Sequence, residues 1–288
     1  MANLQLTGIL AAVPTPIDGS GSPDAERFLV HARWALDNGC DGLNVLGTTG
    51  EANSFSFAQR VRLMEAAAGG LESSRLMVGT GTPDAPTTID LTRAAEDLGF
   101  AAVLVLPPYY YKGVTDEGLF RWFADVLDAT GSIATYLYNF PQMSGISLSP
   151  ELVRRLAESY PERISGAKDS SGDLAYAREL AAIGGLNVFP SDETALAAAD
   201  RDGFAGCISG SVNVTAPLAA ALWQNQSDQA LAEKVRAARQ KITALPIIPA
   251  VKYLVSRLHS DIGFERLLPP HLPLNKDQKA MLADFEAF

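Results

Sequence analysis

The chain has little cysteine and no surplus of positive charge. Two cysteines occur in 288 residues, Cys40 and Cys207, with no CxxC pair and no flanking histidines. That pattern argues against a disulfide framework and a zinc site, and it predicts two small buried residues. Lys and Arg number 23 against 33 Asp and Glu, so the formal net charge is −10. Without a basic cluster to meet phosphates, we expect no nucleic-acid partner.

Long apolar runs are also absent. No segment approaches the length that a membrane helix requires, and the N-terminus lacks a basic region and soon meets Pro14 and Pro16. We therefore expect no signal peptide, no membrane partner and a cytoplasmic location. The composition, 47% hydrophobic and 19% charged, is typical of a globular protein that buries a sizeable core.

Short apolar segments alternate with longer amphipathic ones, which predicts an α/β fold. The predicted strands are residues 8–17, 42–47, 75–80, 101–107, 133–139, 163–168, 187–191 and 206–211. Eight strands separated by helices predict a (β/α)8 TIM barrel over residues 1–225. Residues 226–288 have helical patterns only and predict a C-terminal helical extension. A doubly wound open sheet is the alternative, although the GxGxxG and GxxxxGK[ST] motifs of its nucleotide-binding forms are absent.

Lys168 occupies the last position of the sixth predicted strand, in the segment RISGAKDSSGD. Parallel barrels carry their active groups at the carboxyl ends of strands. If Lys168 points into the barrel, Gly166 shares its face and leaves room beneath the lysine stem. Poor solvation there favours the neutral amine, which is the nucleophile for Schiff-base formation with a carbonyl substrate. The alternative is a structural lysine paired with Asp169 or Asp173.

Polar groups also follow the second and fifth predicted strands. In LGTTGE, two glycines flank Thr48 and Thr49, so that hydroxyls and backbone N–H groups can converge on a small anion such as a carboxylate. The alternative is a polar turn that caps the second helix. In YLYN, Tyr138 ends a strand, where a phenol can relay the protons of Schiff-base chemistry or simply pack in the core.

The remaining strand ends carry aromatic and hydrogen-bonding groups. Three consecutive tyrosines, residues 109–111, follow the fourth strand and suggest a pocket rim or a subunit interface. The segments SDE, residues 191–193, and ISGS, residues 208–211, offer hydrogen bonds to a hydroxylated ligand.

In this order and spacing, the motifs resemble the pyruvate-dependent class I aldolase family that contains dihydrodipicolinate synthase and N-acetylneuraminate lyase. The resemblance covers nearly the whole chain through VPTPI, GTTGE, PPYY, YNFP, GAKDSSG and PIIPAVK. It implies a (β/α)8 barrel that forms a homotetramer, needs neither a metal nor another cofactor, and binds pyruvate covalently through a lysine of the sixth strand.

The same resemblance implies roles for individual residues. Lys168 would form the Schiff base and Tyr138 would act as the general acid and base. Thr48 would relay protons and, together with Thr49, hold the pyruvate carboxylate. Tyr110 would reach into the site of a neighbouring subunit, with Tyr109 as the rival for that assignment. Further substrate contacts are expected from Ser170, Ser191, Asp192, Glu193, Ile208 and Ser211.

Two positions bear on the second substrate. Synthases of the family place an arginine after YNFP that clamps the carboxylate of aspartate semialdehyde, whereas this chain has Met143 there and no other cation in that loop. Losing hydrogen bonds to a charged group forfeits about 1.5–3 kcal/mol. Asp192 and Glu193 resemble the acids with which neuraminate lyases hold sugar hydroxyls, unless they only cap the seventh helix.

We therefore expect a Schiff-base-forming lyase that reversibly cleaves a 2-keto-3-deoxy sugar acid, or a related 2-oxo acid, to pyruvate and an aldehyde. A keto-deoxy sugar acid dehydratase would use the same Schiff base and is the nearest alternative. A 4-hydroxy-tetrahydrodipicolinate synthase, acting on pyruvate and aspartate semialdehyde, and a non-catalytic barrel that binds a 2-oxo acid are the others.

Overall fold

The fold is an eight-stranded parallel barrel, seen in a computed structural model that describes residues 6–286. Its strands are β1 (Gly8–Ala12), β2 (Gly42–Val45), β3 (Leu76–Gly79), β4 (Ala102–Val105), β5 (Ala134–Asn139), β6 (Ile164–Asp169), β7 (Asn187–Pro190) and β8 (Gly206–Ser209). They pair in the order β7-β6-β5-β4-β3-β2-β1-β8. Beside β8, the N–H of Ala205 donates to the Val188 carbonyl of β7 at 2.9 Å, which nearly closes the cylinder. The predicted TIM barrel is confirmed.

Helices follow the strands and form the outer layer. They are α1 (Ala25–Asp37), α2 (Phe57–Gly70), α3 (Ala85–Asp97), α4 (Asp116–Asp128), α5 (Pro141–Ser144), α6 (Pro150–Ser159), α7 (Leu174–Ala181), α8 (Ala199–Asp202) and α9 (Val212–Gln224). Short polar side chains begin many of them; at α2, for example, Ser56 and Gln59 form a reciprocal capping box. Within residues 6–286 no helix is both long and apolar enough to cross a membrane.

Three more helices follow the barrel. They are α10 (Gln229–Thr243), α11 (Ile247–His259) and α12 (Lys276–Met281). They confirm that the chain continues as helices after the eighth strand, and we call the described residues 226–286 the C-terminal extension. The division into units at residue 225 stays a prediction.

Alternation along the strands separates an inner core from an outer one. The inner core contains Leu10, Ala12, Met77, Leu104, Tyr136, Tyr138, Phe189 and Ile208. The opposite strand faces pack against the helices. Gly166 belongs to the inner face, where an added Cβ would come within 2.6 Å of the Tyr136 ring. The space that the sequence suggested for the Lys168 stem is therefore occupied by the Tyr136 ring.

The first strand is shorter than predicted. We expected it over residues 8–17, whereas β1 ends at Ala12. The segment that follows contains Pro14 and Pro16, which have no N–H to donate to a neighbouring strand. Strand pairing therefore stops where the prolines begin.

Both cysteines lie in the core, as predicted. Cys40 and Cys207 are free and buried. Burial raises the pKa of the Cys40 thiol to about 12, so it stays protonated and unreactive at neutral pH.

Candidate active site

Lys168 lies inside the carboxyl end of the barrel, beside the ring of Tyr138. Its side chain is buried, and Nζ lies 4.5 Å from the centre of the Tyr138 ring. Asp169 instead accepts hydrogen bonds from the Asn139 amide and the Ser171 hydroxyl at 2.7 Å each. Asp173 caps helix α7. The alternative of a structural lysine paired with Asp169 or Asp173 is therefore wrong, and within residues 6–286 no carboxylate lies within 4.0 Å of Nζ.

Three hydroxyl groups converge beside this amine. β5 and β6 pair so that Tyr138 lies opposite Lys168, which places the phenol at the strand end. The Tyr138 hydroxyl lies 3.4 Å from Thr48 Oγ1, and the Ser170 hydroxyl donates toward it at 3.4 Å. Both distances are longer than an ideal O–H···O bond. The structure thus brings four sequence-predicted residues together: Lys168, Tyr138, Thr48 and Ser170.

The segment 46–51 forms a tight turn above β2. Leu46 and Glu51, which bracket it, both have left-handed backbone conformations, with φ of 52° and 54°. The N–H of Glu51 donates to the Thr48 carbonyl at 3.1 Å and closes the turn. Thr49 Oγ1 lies 3.0 Å from the point where a Cβ on Gly210 would lie, so the turn meets the end of β8. The turn thus carries Thr48 and Thr49 to the carboxyl end of the barrel, and the anion site expected there stays a prediction.

The end of β7 differs from the prediction. Glu193 is fully buried, and its oxygens accept from the hydroxyls of Ser209 at 2.7 Å and Ser211 at 2.6 Å and from Arg239 at 2.8 Å. Ile208 belongs to the inner core, so its neighbour Ser209 points outward, toward the helices. Glu193 and Ser211 therefore face away from the barrel mouth, which argues against the substrate contacts predicted for them.

For Asp192, the alternative prediction of a helix cap is confirmed. Its carboxylate accepts from the Thr194 N–H at 2.8 Å and begins the short 3-10 helix Glu193–Ala198. It also pairs with Arg239 at 3.0 Å. Burial acts to lower the pKa of Arg239, but the neighbouring Glu193 and Asp192 carboxylates raise it above its usual value. Asp192 nevertheless remains partly exposed, as does Ser191 beside it.

The three tyrosines after β4 have different environments. Tyr109 is partly buried and donates to Asn53 Oδ1 at 3.0 Å. Tyr110 and Tyr111 are 74% and 70% exposed and contact each other edge to face, with ring centres 5.3 Å apart. Tyr109, and not Tyr110, belongs to the lining of the pocket beside Thr48. The insertion of Tyr110 into a neighbouring subunit stays a prediction.

A pocket of about 210 Å³ opens beside Thr48. Its lining includes Thr48, Leu106, Tyr109, Met143, Ile248 and His271. Met143 is 61% exposed on helix α5. No arginine or lysine belongs to the lining in the described part of the chain. The nearby Lys112 donates to the carbonyls of Tyr109 and Ser144, so a cation does border the Met143 segment but is engaged by backbone.

Comparison with known proteins identifies the family. The model of the dihydrodipicolinate synthetase family matches residues 5–285. The chain belongs to that family. It is 32% identical to an uncharacterized DapA-like lyase of Chloroflexus aurantiacus over 96% of this chain and 94% of the other. It resembles the crystal structure of dihydrodipicolinate synthase from Agrobacterium tumefaciens with a TM-score of 0.89 and 32% identity, over 97% and 98% of the two chains.

A further solved structure of the dihydrodipicolinate synthetase family is similar. YagE, a prophage protein of E. coli K12 solved in complex with pyruvate, has a TM-score of 0.89 and 26% identity, over 96% of each chain. The resemblance stated from the motifs is confirmed. As a member of this family, the protein is a pyruvate-dependent lyase. Among residues 6–286 no group of three or more His, Cys, Asp or Glu is arranged to hold a metal ion.

Sequence reasoning did not identify two basic residues of the C-terminal extension that pair with acids after the strands. Lys252, on α11, pairs with Glu51, and Arg239, on α10, pairs with Glu193. The motif PIIPAVK, which carries the family resemblance, ends on Lys252 and was a usable signal. No motif in the local sequence around Arg239 indicates that it pairs with a strand-end acid.

We predict that Glu193→Gln reduces stability and leaves pyruvate binding unchanged. The change removes the buried one of the two carboxylates that pair with Arg239 and leaves Asp192, so we expect a loss of about 1–3 kcal/mol of unfolding free energy. Chemical denaturation measures that loss, with Glu158→Gln, an exposed acid on α6, as the control. Unchanged stability together with weaker pyruvate binding would contradict this placement of Glu193.

Proposed function

We propose that the protein is a class I aldolase that binds pyruvate through Lys168. It reversibly cleaves a 2-keto-3-deoxy sugar acid, or a related 2-oxo acid, to pyruvate and an aldehyde. The observation that carries this proposal is the buried Lys168 amine beside Tyr138, which has no carboxylate partner among residues 6–286. A neutral amine is the form that attacks a ketone carbon.

Bond formation at Lys168 begins the cycle. Nζ attacks C2 of the 2-oxo acid, the carbonyl electrons move onto oxygen, and the carbinolamine loses water to give an iminium. Each step moves a proton, and the Tyr138 hydroxyl, between Thr48 and Ser170, is placed to carry it. Catalytic hydrogen bonds of this kind commonly shorten in the substrate complex, which accounts for their length of 3.4 Å.

Cleavage of the C3–C4 bond follows from the iminium. As the C4 hydroxyl gives up its proton, its electrons form the aldehyde carbonyl, and the electrons of the C3–C4 bond pass into the iminium to give an enamine. Protonation at C3 and hydrolysis then release pyruvate and return Lys168 as the free amine. Throughout, the turn that carries Thr48 and Thr49 holds the carboxylate through hydroxyl and N–H groups.

The surroundings of Met143 favour an uncharged aldehyde. Aspartate semialdehyde, the partner in the synthase alternative, would bring its carboxylate to a pocket without a lining arginine or lysine. Ser170, Ser191 and the partly exposed Asp192 remain available for sugar hydroxyls, whereas Glu193 does not. A dehydratase would use the same iminium but expel a hydroxyl instead of breaking a carbon–carbon bond.

The assembly and location form a separate part of the proposal. We propose a homotetramer in the cytoplasm in which Tyr110 enters the site of a neighbouring subunit. The exposure of Tyr110 and Tyr111, both more than two-thirds accessible, supports a surface that another copy covers.

We predict that borohydride traps pyruvate on Lys168. Condensation loses water and reduction adds two hydrogens, so the intact mass rises by that of pyruvic acid less one oxygen atom. Lys168→Ala forms no adduct, whereas Lys234→Ala, a control at an exposed lysine on α10, traps pyruvate as the wild type does. An unmodified wild type, or an adduct on Lys168→Ala, would contradict the proposal. Trapping without cleavage of any 2-oxo acid favours the non-catalytic barrel.

We predict that Met143→Arg changes the preference among aldehydes. The guanidinium supplies the missing donors to a carboxylate, so kcat/KM for condensation of pyruvate with aspartate semialdehyde rises about tenfold. Condensation with uncharged, hydroxylated aldehydes changes little. Met143→Gln is the control of similar length without charge, and an equal gain for it, or a gain for the uncharged aldehydes, would count against the clamp argument.

A further inference from the structure

Glu51 has an unusual backbone conformation for its residue type. Its φ is 54° and its ψ is 33°, in the left-handed region that glycine, asparagine and aspartate enter most readily. A glutamate remains there only when surrounding contacts hold it. Because Glu51 closes the turn through its N–H bond to the Thr48 carbonyl, whatever holds Glu51 also sets the shape of the turn.

The contacts that hold Glu51 come from the C-terminal extension. One carboxylate oxygen accepts from Lys252 Nζ, and the other accepts from the N–H of Leu268 at 3.1 Å. The side chains of Glu51 and Lys252 are 0% and 1% exposed. Lys252 also donates to the Arg266 carbonyl at 2.7 Å. The turn is thus fixed to α11 and to the segment that follows it.

The chemistry of this pair points to positioning rather than to stability alone. Both ions lose their hydration on burial. A protein that has well-packed apolar side chains in place of a buried ion pair is therefore often as stable. Removing one partner, by contrast, leaves a buried charge without compensation. The pair therefore disfavours every arrangement in which the turn moves away from α11. Lys252 itself is buried behind the turn, so it acts on a ligand only through Glu51.

We propose that Lys252 is a positioning residue that, through Glu51, holds Thr48 and Thr49 for the carboxylate of the 2-oxo acid. The inference rests on the proposed function, because it concerns the same pyruvate site. It assigns the C-terminal extension a part in substrate binding that the PIIPAVK motif alone does not reveal.

The test measures how much pyruvate half-saturates borohydride trapping, read by intact mass. We expect the half-saturating concentration to rise about tenfold in Glu51→Gln and in Lys252→Met. Trapping at saturating pyruvate stays complete, because Lys168 is untouched. The double variant resembles either single variant, since both changes break one link. Glu51→Gln keeps the shape of the side chain and decides the question if Lys252→Met does not fold.

Arg163→Met is the control for a loss of stability alone. Arg163 donates to the Leu127 and Thr130 carbonyls at the amino end of β6, opposite the site, so its loss lowers the melting temperature without changing half-saturation. Folded Glu51 and Lys252 variants with unchanged half-saturation overturn the positioning role alone. A wild type that forms no adduct overturns this inference together with the proposed function.

Discussion

The ion pair between Glu51 and Lys252 joins segments that lie 201 positions apart in the chain. Strand-end loops of a barrel have few regular backbone bonds of their own, so contacts from elsewhere must set their shape. Arg239 makes a second link of the same kind by pairing with Glu193 after β7. Cations from the C-terminal extension thus pair with acids after two of the strands, and the helices that follow the barrel help to fix the loops at its carboxyl end.

Lys168 differs from these cations because it pairs with no acid in the part of the chain that the structure describes. Within residues 6–286, the buried charges of Glu51, Lys252 and Glu193 are matched by opposite charges. Arg60 is also buried without a carboxylate, but it donates to the Gly79 carbonyl, and burial lowers its pKa to about 10. The Lys168 amine lies 4.5 Å from the centre of the Tyr138 ring. That environment is the basis of the proposed Schiff-base role of Lys168.

Sequence periodicity predicts the strands because an apolar strand and its helix are recognisable within a single βα unit. The position of Lys168 at a strand end follows from the same local rule. The direction of Glu193 does not, because it depends on Arg239, 46 positions further along the chain. Alternation along β8 does show that Ser209 points outward from the barrel. Nothing in the local sequence shows that Glu193 forms a hydrogen bond with Ser209. Contacts between distant segments are what the sequence leaves open.

The most direct test of the account is a crystal structure of the protein soaked with pyruvate. We expect continuous electron density between Lys168 Nζ and C2 of the ligand, with the carboxylate against the hydroxyls and N–H groups of the turn at Thr48 and Thr49. Pyruvate bound without a covalent bond, or with its carboxylate held elsewhere in the barrel, would contradict the account.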